Sequence, residues 1–492
     1  MTARAGSPLP FSGRASNQSQ SLAIYGHDRQ RLSGVNRHDT TRNPGRSYCK
    51  RSGVCVGRFL VDRPDTWEAA ASSGATALAK YLRHAAQRSI VNPLMQEPTW
   101  SSRGWEALMS EQIDAVLQTA VASGAVPSVV GLVADENGLV YEGAAGARVA
   151  GESEPVTPDT MLRIASMTKM ITTVAALQLL ERGHLDLEAP VDTYCPQFAD
   201  LQVLDGFDGD TPQLRPPATR ATVKQLVTHT AGLGYWFFNE NLVRWEHVTG
   251  TANVLSGKRE IFTAPLSSDP GTRFEYGMNI DWLGLVIEST SQQPLDEYVR
   301  DNILEPLGMP STTFSPTPEQ RAGMVPVHVQ AGDGQWQATD IDWSPEPEWW
   351  AGGHGLYSTP REYLRFQRML LRGGELDGRQ ILQSSTVEAA FTNQIGELDF
   401  PPTITSADKS STCDFNIGPG WKWGLGLLLN SEPAPGMRPA WSGAWAGIFN
   451  THFWVDRSNR ITGAIYSQFL PFVTPPALKM YADFEQAVYG SR

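Results

Sequence analysis

Apolar residues recur at regular spacings along most of the chain, and these spacings predict an alternation of helices and strands. Residues 105–123 carry apolar side chains at helical spacing, which predicts an amphipathic helix. Residues 128–134 and 139–143 are two apolar runs joined by Asn137-Gly138, a pattern typical of a β-hairpin turn. The first elements are therefore predicted to be a helix followed by an antiparallel pair of strands.

The rest of the pattern places strands towards the end of the chain and helices before them. Residues 185–350 are predicted to be mostly helical, with Pro- and Gly-rich loops. Residues 421–429, 448–455 and 461–467 have the character of strands, and a last helix is predicted over residues 476–488. The predicted fold is α+β: an antiparallel sheet flanked by helices, with an inserted and mostly helical subdomain.

The first hundred residues differ from the remainder in composition. Residues 1–60 contain ten Lys or Arg residues against two Asp residues, with many Ser and Gly and little apolar periodicity. Such a composition predicts a disordered N-terminal extension over residues 1–100. It also resembles an organelle transit peptide, although the amphipathic helix of such peptides is not evident. We expect a single folded domain over residues 103–490.

Charge and cysteine content narrow the range of partners. A net charge of −12 argues against nucleic acid and against an anionic membrane surface as the main partner. No apolar run reaches the length of a membrane span or of a secretory signal. The four cysteines are too few and too scattered for a disulfide framework or a zinc site. We therefore expect a cytoplasmic protein without a metal or cofactor, and its oligomeric state is left open.

A serine and a lysine three residues apart, Ser166 and Lys169, stand where a short strand pattern gives way to a long helical one. On a helix the two side chains share a face, so the lysine can remove the serine proton and create a nucleophile. The start of a helix also favours a developing negative charge, and burial would lower the lysine pKa. Two similar strings begin at Ser47 and Ser406, but loops rich in Gly, Ser or Pro surround them.

Two later segments carry groups that acyl-transfer chemistry needs. Tyr276 ends a loop before a predicted helix, where its phenol could carry a second proton beside Ser166. Trp441-Ser442-Gly443 leads into a strand, and small residues there let a substrate approach the backbone. The backbone N–H of Ala444 could then join that of Ser166 in an oxyanion hole.

These motifs, in this order, resemble those of the serine β-lactamase and penicillin-binding protein superfamily. Residues 226–233, 352–359 and 453–456 agree as well, so the resemblance extends over residues 105–490. It is strongest to the class C-like branch, which includes family VIII carboxylesterases and 1,4-butanediol diacrylate esterase-like proteins. The resemblance implies a class C β-lactamase-like fold. It also implies that Ser166 is the nucleophile, Lys169 its base and Tyr276 the residue that relays the proton to the leaving group.

The chain departs from the pattern of that family in two places. The motif Tyr-x-Asn is changed, because Met278 holds the third position and Asn279 comes one residue later. The lysine of Lys-Thr-Gly, which recognises a carboxylate in β-lactamases, is replaced by Trp441. Lys422 precedes Trp423-Gly424 but belongs to an earlier strand pattern, and we interpret it as a decoy. An indole in place of a cation predicts an uncharged or apolar ester as substrate.

Other residues with reactive or aromatic side chains have structural interpretations. His229 is interpreted as a hydrogen-bonded structural histidine, and His354 is placed near the pocket without a direct part in the chemistry. Aromatic side chains could wall an acyl pocket, although core packing explains each of them singly as well. The aromatic candidates are Tyr235, Trp236, Trp349, Trp350 and Trp445.

The sequence thus predicts a serine hydrolase that cleaves a small-molecule carboxylic ester through an acyl-Ser166 intermediate. Transfer of the acyl group to a second alcohol would make the protein an acyltransferase, and the sequence does not separate the two activities. The nearest alternative is a β-lactamase or a D-Ala-D-Ala peptidase. A second alternative is a non-catalytic scaffold that keeps the fold, against which the intact Ser166, Lys169 and Tyr276 argue.

Overall fold

The computed structural model describes residues 103–490, with side chains from residue 108 onward. The extension predicted over residues 1–100 lies outside this range, as does the string that begins at Ser47. Within the described range, helices surround an antiparallel sheet. The predicted α+β class is therefore confirmed.

Helices and strands alternate along the described residues, and a short 3-10 turn at Ala165–Met167 precedes the second helix. The helices are α1 (Arg103–Ala122), α2 (Thr168–Glu181), α3 (Val223–Val227), α4 (Glu240–Thr249), α5 (Asn279–Ser291), α6 (Leu295–Val299), α7 (Pro318–Gly323), α8 (Pro360–Leu371), α9 (Ser384–Ala390) and α10 (Pro475–Gly490). The strands are β1 (Ser128–Asp135), β2 (Leu139–Gly146), β3 (Leu162–Arg163), β4 (Val203–Asp208), β5 (Thr211–Arg215), β6 (His328–Gln330), β7 (Trp336–Ala338), β8 (Tyr357–Ser358), β9 (Glu375–Leu376), β10 (Arg379–Gln380), β11 (Thr403–Ile404), β12 (Phe415–Asn416), β13 (Trp421–Trp423), β14 (Leu428–Asn430), β15 (Gly443–Gly447), β16 (Thr451–Asp456) and β17 (Ile461–Tyr466).

A seven-stranded antiparallel sheet unites the two ends of the described chain. Its strand order is β13-β14-β15-β16-β17-β1-β2. The N-terminal hairpin joins the C-terminal strands where Val130 of β1 lies opposite Tyr466 of β17. Residues 421–429, predicted as one strand, form β13 and β14 instead. The chain turns between them, where Gly426 adopts a φ of 83° that favours glycine.

Helices cover both faces of this sheet. Ile113 of α1 and Phe484 of α10 are buried on one face together with Trp454 of β16. Phe366 of α8 is buried on the opposite face with Phe453, the neighbour of Trp454 in β16. Neighbouring residues of a strand point to opposite faces, so one strand supplies both cores. Burial of such aromatic side chains is the main source of stability in each layer.

Helix α2 lies inside the larger core rather than on its surface. The structure buries every side chain from Thr168 to Leu180, including the polar residues Thr172, Thr173 and Gln178. The predicted apolar stripe is therefore only part of the buried surface. Thr172 and Gln178 donate side-chain hydrogen bonds to backbone carbonyls, so their donor groups are paired inside the core.

The segment between α2 and β8 supplies much of the chain beside the site. It contains the short helices α3, α4, α6 and α7, the longer helix α5, and two hairpins, β4–β5 and β6–β7. The hairpins add strands to a segment that was predicted to be mostly helical. Among residues 103–490, none of the helices combines the length and the apolar character that crossing a membrane requires.

Candidate active site

Ser166 lies in a tight turn between a short buried ladder and the start of α2. Strand β3 pairs with β8, and the turn Ala165–Met167 follows directly. Ser166 therefore precedes α2 instead of lying in its first turn. Ala165 has a φ of 45°, an unfavourable value for a residue with a side chain, so the surrounding contacts must hold this turn in place. The fixed turn presents Ser166 to a cavity beside β15.

Lys169 is almost completely buried next to Ser166. Its Nζ lies 3.1 Å from Oγ of Ser166, and it donates hydrogen bonds to the carbonyl of Gly353 at 2.7 Å and to the phenol of Tyr235 at 3.1 Å. Burial lowers the pKa of Lys169 to about 7, although the charge of Asp281 opposes this change. The direction agrees with the sequence-based expectation, and a lysine with this pKa can accept a proton at neutral pH.

Asp281 is a buried carboxylate that no sequence motif indicated. It lies in the first turn of α5 and accepts hydrogen bonds from the Gly353 N–H at 2.8 Å and the Tyr235 hydroxyl at 3.2 Å. Burial raises the pKa of Asp281 to about 6, while the charge of Lys169 opposes the rise. Tyr235 thus connects Lys169 to Asp281. The only signal in the sequence was a single carboxylate within the apolar run of residues 280–287.

Tyr276 precedes α5 and lies next to both Ser166 and Lys169. Its ring centroid is 4.8 Å from Nζ of Lys169, and it lines the same cavity as Ser166. Burial raises the pKa of Tyr276 above its ordinary value, while Ser166 and then Trp445 lower it in part. The structure therefore brings together the three residues to which the resemblance assigned catalytic roles.

His229 and Asn279 support Tyr276 from behind. The rings of His229 and Tyr276 are 4.8 Å apart, and Nδ1 of His229 is 3.1 Å from Nδ2 of Asn279. The Asn279 amide also donates to the Leu233 carbonyl at 2.9 Å. Burial, with a contribution from Lys169, holds the pKa of His229 well below its usual range, so this histidine is neutral. Asn279, one residue later than in the Tyr-x-Asn motif, thus contacts His229, while Tyr235 contacts Lys169.

His354 lies next to Asp281 and lines a separate, smaller cavity. Its Nδ1 is 3.7 Å from the Asp281 carboxylate, and the indoles of Trp343 and Trp349 pack around its ring. Burial, with a contribution from Lys169, lowers the pKa of His354 to about 3. His354 is therefore neutral, and it is not part of the cavity wall next to Ser166.

Within residues 441–447 the pattern Trp-x-Gly occurs twice, four residues apart, and the structure brings the second copy to Ser166. The ring of Trp445 lies 5.0 Å from that of Tyr276. A Cβ atom on Gly447 would lie 2.5 Å from the backbone carbonyl oxygen of Ile164, so the close approach requires glycine. Strand β15 therefore lies against the Ser166 turn through Trp445-Ala446-Gly447.

The first copy, Trp441-Ser442-Gly443, which was predicted to bind substrate, lies outside the cavity. Trp441 is 47% exposed, and the Ser442 hydroxyl donates to the Pro439 carbonyl at 2.9 Å. Gly443 faces the core beside Phe391. The backbone of Trp441 has a φ of 65°, which turns the chain just before β15 begins. The cavity lining therefore favours the second copy over the first as the substrate-binding segment.

The candidate oxyanion donor also lies four residues later in the chain than the predicted one. Ala444, the predicted donor, lines the cavity, but it is paired within the sheet with Leu428 on one side and Trp454 on the other. Ile448 follows the end of β15 and lines the cavity together with Ser166. Because Ile448 lies beyond the strand pairing, its N–H is the better placed candidate.

Trp236 and Trp350, predicted as walls of the acyl pocket, lie away from the Ser166 cavity. Each lines a smaller neighbouring cavity and packs against the hydrophobic core. Of the aromatic candidates, Trp445 lines the Ser166 cavity, and Tyr235 contacts Lys169 instead. Other aromatic residues form the walls, and no pattern in the sequence singled them out. They include Phe237, Phe238, Phe400, Phe415 and Trp421.

The cavity that opens from Ser166 has a volume of about 170 Å³ and is lined mostly by apolar side chains. Lys422 is held away from it, because its Nζ donates to the carbonyls of Gly396 and Leu398 and pairs with Asp399 at 2.8 Å. These contacts support the interpretation of Lys422 as a decoy. In the third motif, the Trp-x-Gly segment of residues 441–447, the group that lies beside Tyr276 is the indole of Trp445 and not a cation.

The remaining S-x-x-K string in the described range does not form a serine–lysine pair. Lys409 makes an ion pair with Asp414, whose carboxylate also accepts the backbone N–H of Ser406 at 2.7 Å. Within residues 103–490 no group of His, Cys, Asp and Glu side chains is arranged to hold a metal ion.

Comparison with known sequences finds similarity over the whole described domain. The family model described as Beta-lactamase matches residues 113–487. A lovastatin esterase from Penicillium rubens is 32% identical over 374 residues, which cover 71% of this chain and 91% of that protein. A monacolin J acid methylbutanoyltransferase from Aspergillus terreus is 29% identical and covers 77% of this chain and 95% of its own length.

Solved structures share the fold. A mutant simvastatin synthase from Aspergillus terreus has a TM-score of 0.69 at 28% identity, covering 79% of this chain and 99% of that one. EstCE1, a hydrolase with promiscuous acyltransferase activity, has a TM-score of 0.64 at 21% identity, with 78% and 99% covered. The predicted class C-like arrangement of sheet and helices is thus confirmed.

Proposed function

The chain belongs to the beta-lactamase family, and on that premise we propose that it cleaves carboxylic esters through an acyl group carried by Ser166. One observation carries the proposal. The Nζ of Lys169, a buried lysine with a pKa of about 7, lies 3.1 Å from Oγ of Ser166. At neutral pH a substantial fraction of such a lysine is uncharged and can accept the serine proton.

Acylation begins when Lys169 takes the proton of the Ser166 hydroxyl. The Oγ atom attacks the ester carbonyl carbon, and the carbonyl electron pair moves onto its oxygen to give a tetrahedral oxyanion. The backbone N–H groups of Ser166 and Ile448 flank the cavity at this point and are the proposed oxyanion donors. Hydrogen bonds that are in place before the charge forms stabilise the transition state more than the ground state.

Tyr276 delivers a proton to the leaving alcohol. Its ring lies against Nζ of Lys169, and the Ser166 side chain lowers the pKa of its phenol in part. The proton taken by Lys169 passes to the phenol oxygen as the phenol gives its own proton to the departing alkoxide. The bond between the carbonyl carbon and the alkoxide breaks, and the acyl group stays on Ser166.

The second half of the reaction repeats these steps with a new hydroxyl. Water regenerates Ser166 and releases a carboxylic acid, whereas an alcohol in its place receives the acyl group as a new ester. Related proteins carry both kinds of name, an esterase in one case and an acyltransferase in another. We therefore propose hydrolysis as the basic activity and acyl transfer when a suitable alcohol occupies the site of the water.

The substrate is proposed to be an ester without a negative charge near the scissile bond. Trp445 occupies the position beside Tyr276, and the cavity walls are mainly aromatic and aliphatic. An apolar wall favours an apolar acyl or alcohol group through desolvation and offers a carboxylate no compensating charge. This feature disfavours the alternative of a β-lactamase or D-Ala-D-Ala peptidase.

Asp281 is proposed to position and tune Lys169 through Tyr235. The Tyr235 hydroxyl accepts a hydrogen bond from Lys169 and donates one to the Asp281 carboxylate. The negative charge of Asp281 raises the pKa of Lys169, which burial alone would lower further. A lysine held near pKa 7 can both take up and release a proton during one catalytic cycle.

A comparison of two substrates tests the proposed reaction. Turnover of p-nitrophenyl hexanoate should be readily measured, whereas that of a chromogenic cephalosporin should be at least a hundredfold slower, because the latter carries a carboxylate. The Ser166→Ala variant should lose ester turnover in the same assay. Efficient cephalosporin cleavage with little ester cleavage would overturn the proposal in favour of a β-lactamase.

Labelling with a fluorophosphonate probe tests the scaffold alternative. The probe should add one adduct to the folded protein, and the Ser166→Ala variant should remain unlabelled because it lacks the activated hydroxyl. Intact-protein mass spectrometry measures both results. A folded protein that forms no adduct, or equal labelling of the Ser166→Ala variant, would favour a non-catalytic role.

A further inference from the structure

The cavity extends from Ser166 to the C-terminal helix on the other face of the sheet. Gly447 faces the Ser166 turn, and side chains alternate along a strand, so Ala446 points to the opposite face. His452 of β16 is the cross-strand partner of Ala446 and shares that face. The ring of His452 stacks on Tyr481 of α10 at 4.5 Å, and both residues line the cavity that also contains Ser166.

The imidazole of His452 is buried at this far end, and one of its nitrogens has no hydrogen-bond partner within residues 103–490. The residue is 6% exposed, and its Nε2 is buried and unpaired among the described residues. Its ring is stacked between Tyr481 and Phe472, with the planes inclined by 18° in both contacts. Buried polar groups in native structures are rarely left unpaired, so we expect a bound ligand or a water molecule to form a hydrogen bond with this imidazole.

The charges beside His452 are already balanced. Arg438 donates to the Glu485 carboxylate at 2.8 and 2.5 Å and to the Tyr481 hydroxyl at 2.6 Å. Burial, together with the positive charge of Arg438, lowers the pKa of His452 to about 3, so the ring is neutral at physiological pH. A carboxylate placed here would lose its hydration without gaining a counter-charge, whereas a neutral hydroxyl or ketone would not.

We propose that the cavity binds an ester whose apolar portion carries a neutral oxygen function, a ketone or hydroxyl, and that His452 hydrogen-bonds this oxygen. The inference rests on the proposed function, because Ser166 fixes the ester group at the other end of the same cavity. Its volume of about 170 Å³ is similar to that of an engineered protein cavity of about 150 Å³ that holds benzene. The bound portion is therefore the size of one ring or a short chain.

Two matched pairs of esters test the inference. In the first pair the ketone is on the acyl side, p-nitrophenyl 5-oxohexanoate against p-nitrophenyl hexanoate. In the second pair the ketone is on the alcohol side, 5-oxohexyl acetate against hexyl acetate, and turnover is measured as the release of acetic acid. In one pair the wild-type protein should prefer the ketone by about tenfold in kcat/KM, since a site with an unpaired polar group rejects a partner that cannot pair with it.

The variant His452→Phe removes the hydrogen bond and keeps an aromatic ring between Tyr481 and Phe472. The ketone preference should then fall to about one in the pair that showed it, which also identifies the portion of the ester that occupies the cavity. The control variant His247→Phe, at an exposed position of α4, should keep the wild-type ratio. Equal turnover within both pairs by the wild type, or a preference that survives His452→Phe, overturns the inference.

A binding measurement keeps the inference testable if His452→Phe does not fold. Methyl 5-oxohexanoate is added to the Ser166→Ala protein, which cannot consume it, and the ring nitrogens of ¹⁵N-labelled histidines are observed by NMR. One histidine signal should shift with the ketone and not with methyl hexanoate, while the His229 and His354 signals should stay in place. The absence of such a shift overturns the inference.

The outcomes separate this inference from the proposed function. Ester turnover that depends on Ser166 but shows no ketone preference supports the function and rejects the role of His452. The absence of any turnover that depends on Ser166 rejects the function and, with it, the inference.

Discussion

Two buried pairs of opposite charge stand at the two ends of the cavity, and they differ in whether their members touch. At the Ser166 end, Tyr235 contacts both Lys169 and Asp281 and stands between them. At the other end, Arg438 and Glu485 bond directly. The pKa values of the separated pair are about 7 and about 6. Burial alone would lower the pKa of Arg438, but Glu485 raises it above its ordinary value.

The separation decides what each pair can do. Lys169 and Asp281 have similar proton affinities, so a proton can enter and leave the pair near neutral pH. The guanidinium of Arg438 stays charged at every accessible pH and cannot act as a base. The first pair suits catalysis, and the second fastens α10 to the turn before β15. Four substitutions test this contrast, from the largest expected effect to the smallest.

Lys169→Arg should abolish the proton transfer while keeping a positive charge. Because a guanidinium does not deprotonate, kcat/KM for p-nitrophenyl hexanoate should fall by about a thousandfold. Circular dichroism and the thermal midpoint check that the variant is folded. A folded variant that keeps activity within tenfold of the wild type would show that the neutral form of Lys169 is not needed.

Arg438→Met should destabilise the fold, because it leaves the Glu485 carboxylate buried without a partner. The free energy of unfolding should fall by about 3–5 kcal/mol, measured by urea denaturation. The double variant Arg438→Met with Glu485→Leu removes both charges and should recover most of that loss. If the double variant is no more stable than the single one, an unpaired buried charge is not the cause.

Gly447→Ala should disturb β15, the strand between the two charged pairs, at the point where it contacts the Ser166 turn. The added Cβ would meet the backbone oxygen of Ile164 at 2.5 Å, so the turn must shift and kcat/KM should fall by about a hundredfold. At Gly443 the nearest atom, at 2.6 Å, is on the side chain of Phe391, which can move. Gly443→Ala should therefore keep most of the activity. If Gly443→Ala lowered kcat/KM more than Gly447→Ala, the first copy, Trp441-Ser442-Gly443, would be the one that acts at Ser166.

Asp281→Asn should move the pH dependence. Lys169 acts as a base only when it is neutral, so kcat/KM falls as the pH drops below the pKa of Lys169. Since the Asp281 charge raises that pKa, its removal should shift the acid limb to lower pH by about one unit, with up to about a tenfold loss on the plateau. Asp296→Asn, on the neighbouring helix α6, serves as control. An acid limb that stays in place would exclude coupling through Tyr235.

The sequence was most informative where a motif and its surroundings agreed. Ser166 and Lys169 were predictable because a short strand precedes them and an apolar helix follows, and Tyr276 because it ends a loop before a helix. The three-residue spacing from the Ala165–Met167 turn into the start of α2 places the serine beside the lysine through local geometry. The fold class followed from strands at both ends of the chain with helices between them.

The third motif and Asp281 were not predictable for different physical reasons. Two copies of Trp-x-Gly lie four residues apart, and the turn at Trp441 decides which copy reaches Ser166. That turn depends on tertiary contacts, which the amino-acid sequence alone does not reveal. Asp281 has no motif of its own, and only the folding of Gly353 and Tyr235 around it makes it part of the site. The cavity walls come from many separate segments, which spacing along the chain cannot bring together.

Because the cavity extends to α10, the groups proposed for proton transfer and the residues at its far end come from distant parts of the chain. On the proposed function, residues 166–281 hold the proton-transfer groups, whereas Tyr481 and Leu478 in the last helix border the far end of the same space. Substitutions in the final helix can therefore change which ester is accepted while the proton-transfer groups remain untouched. For protein engineering, the proposal makes the cavity-lining residues Leu478 and Tyr481 positions to vary for selectivity.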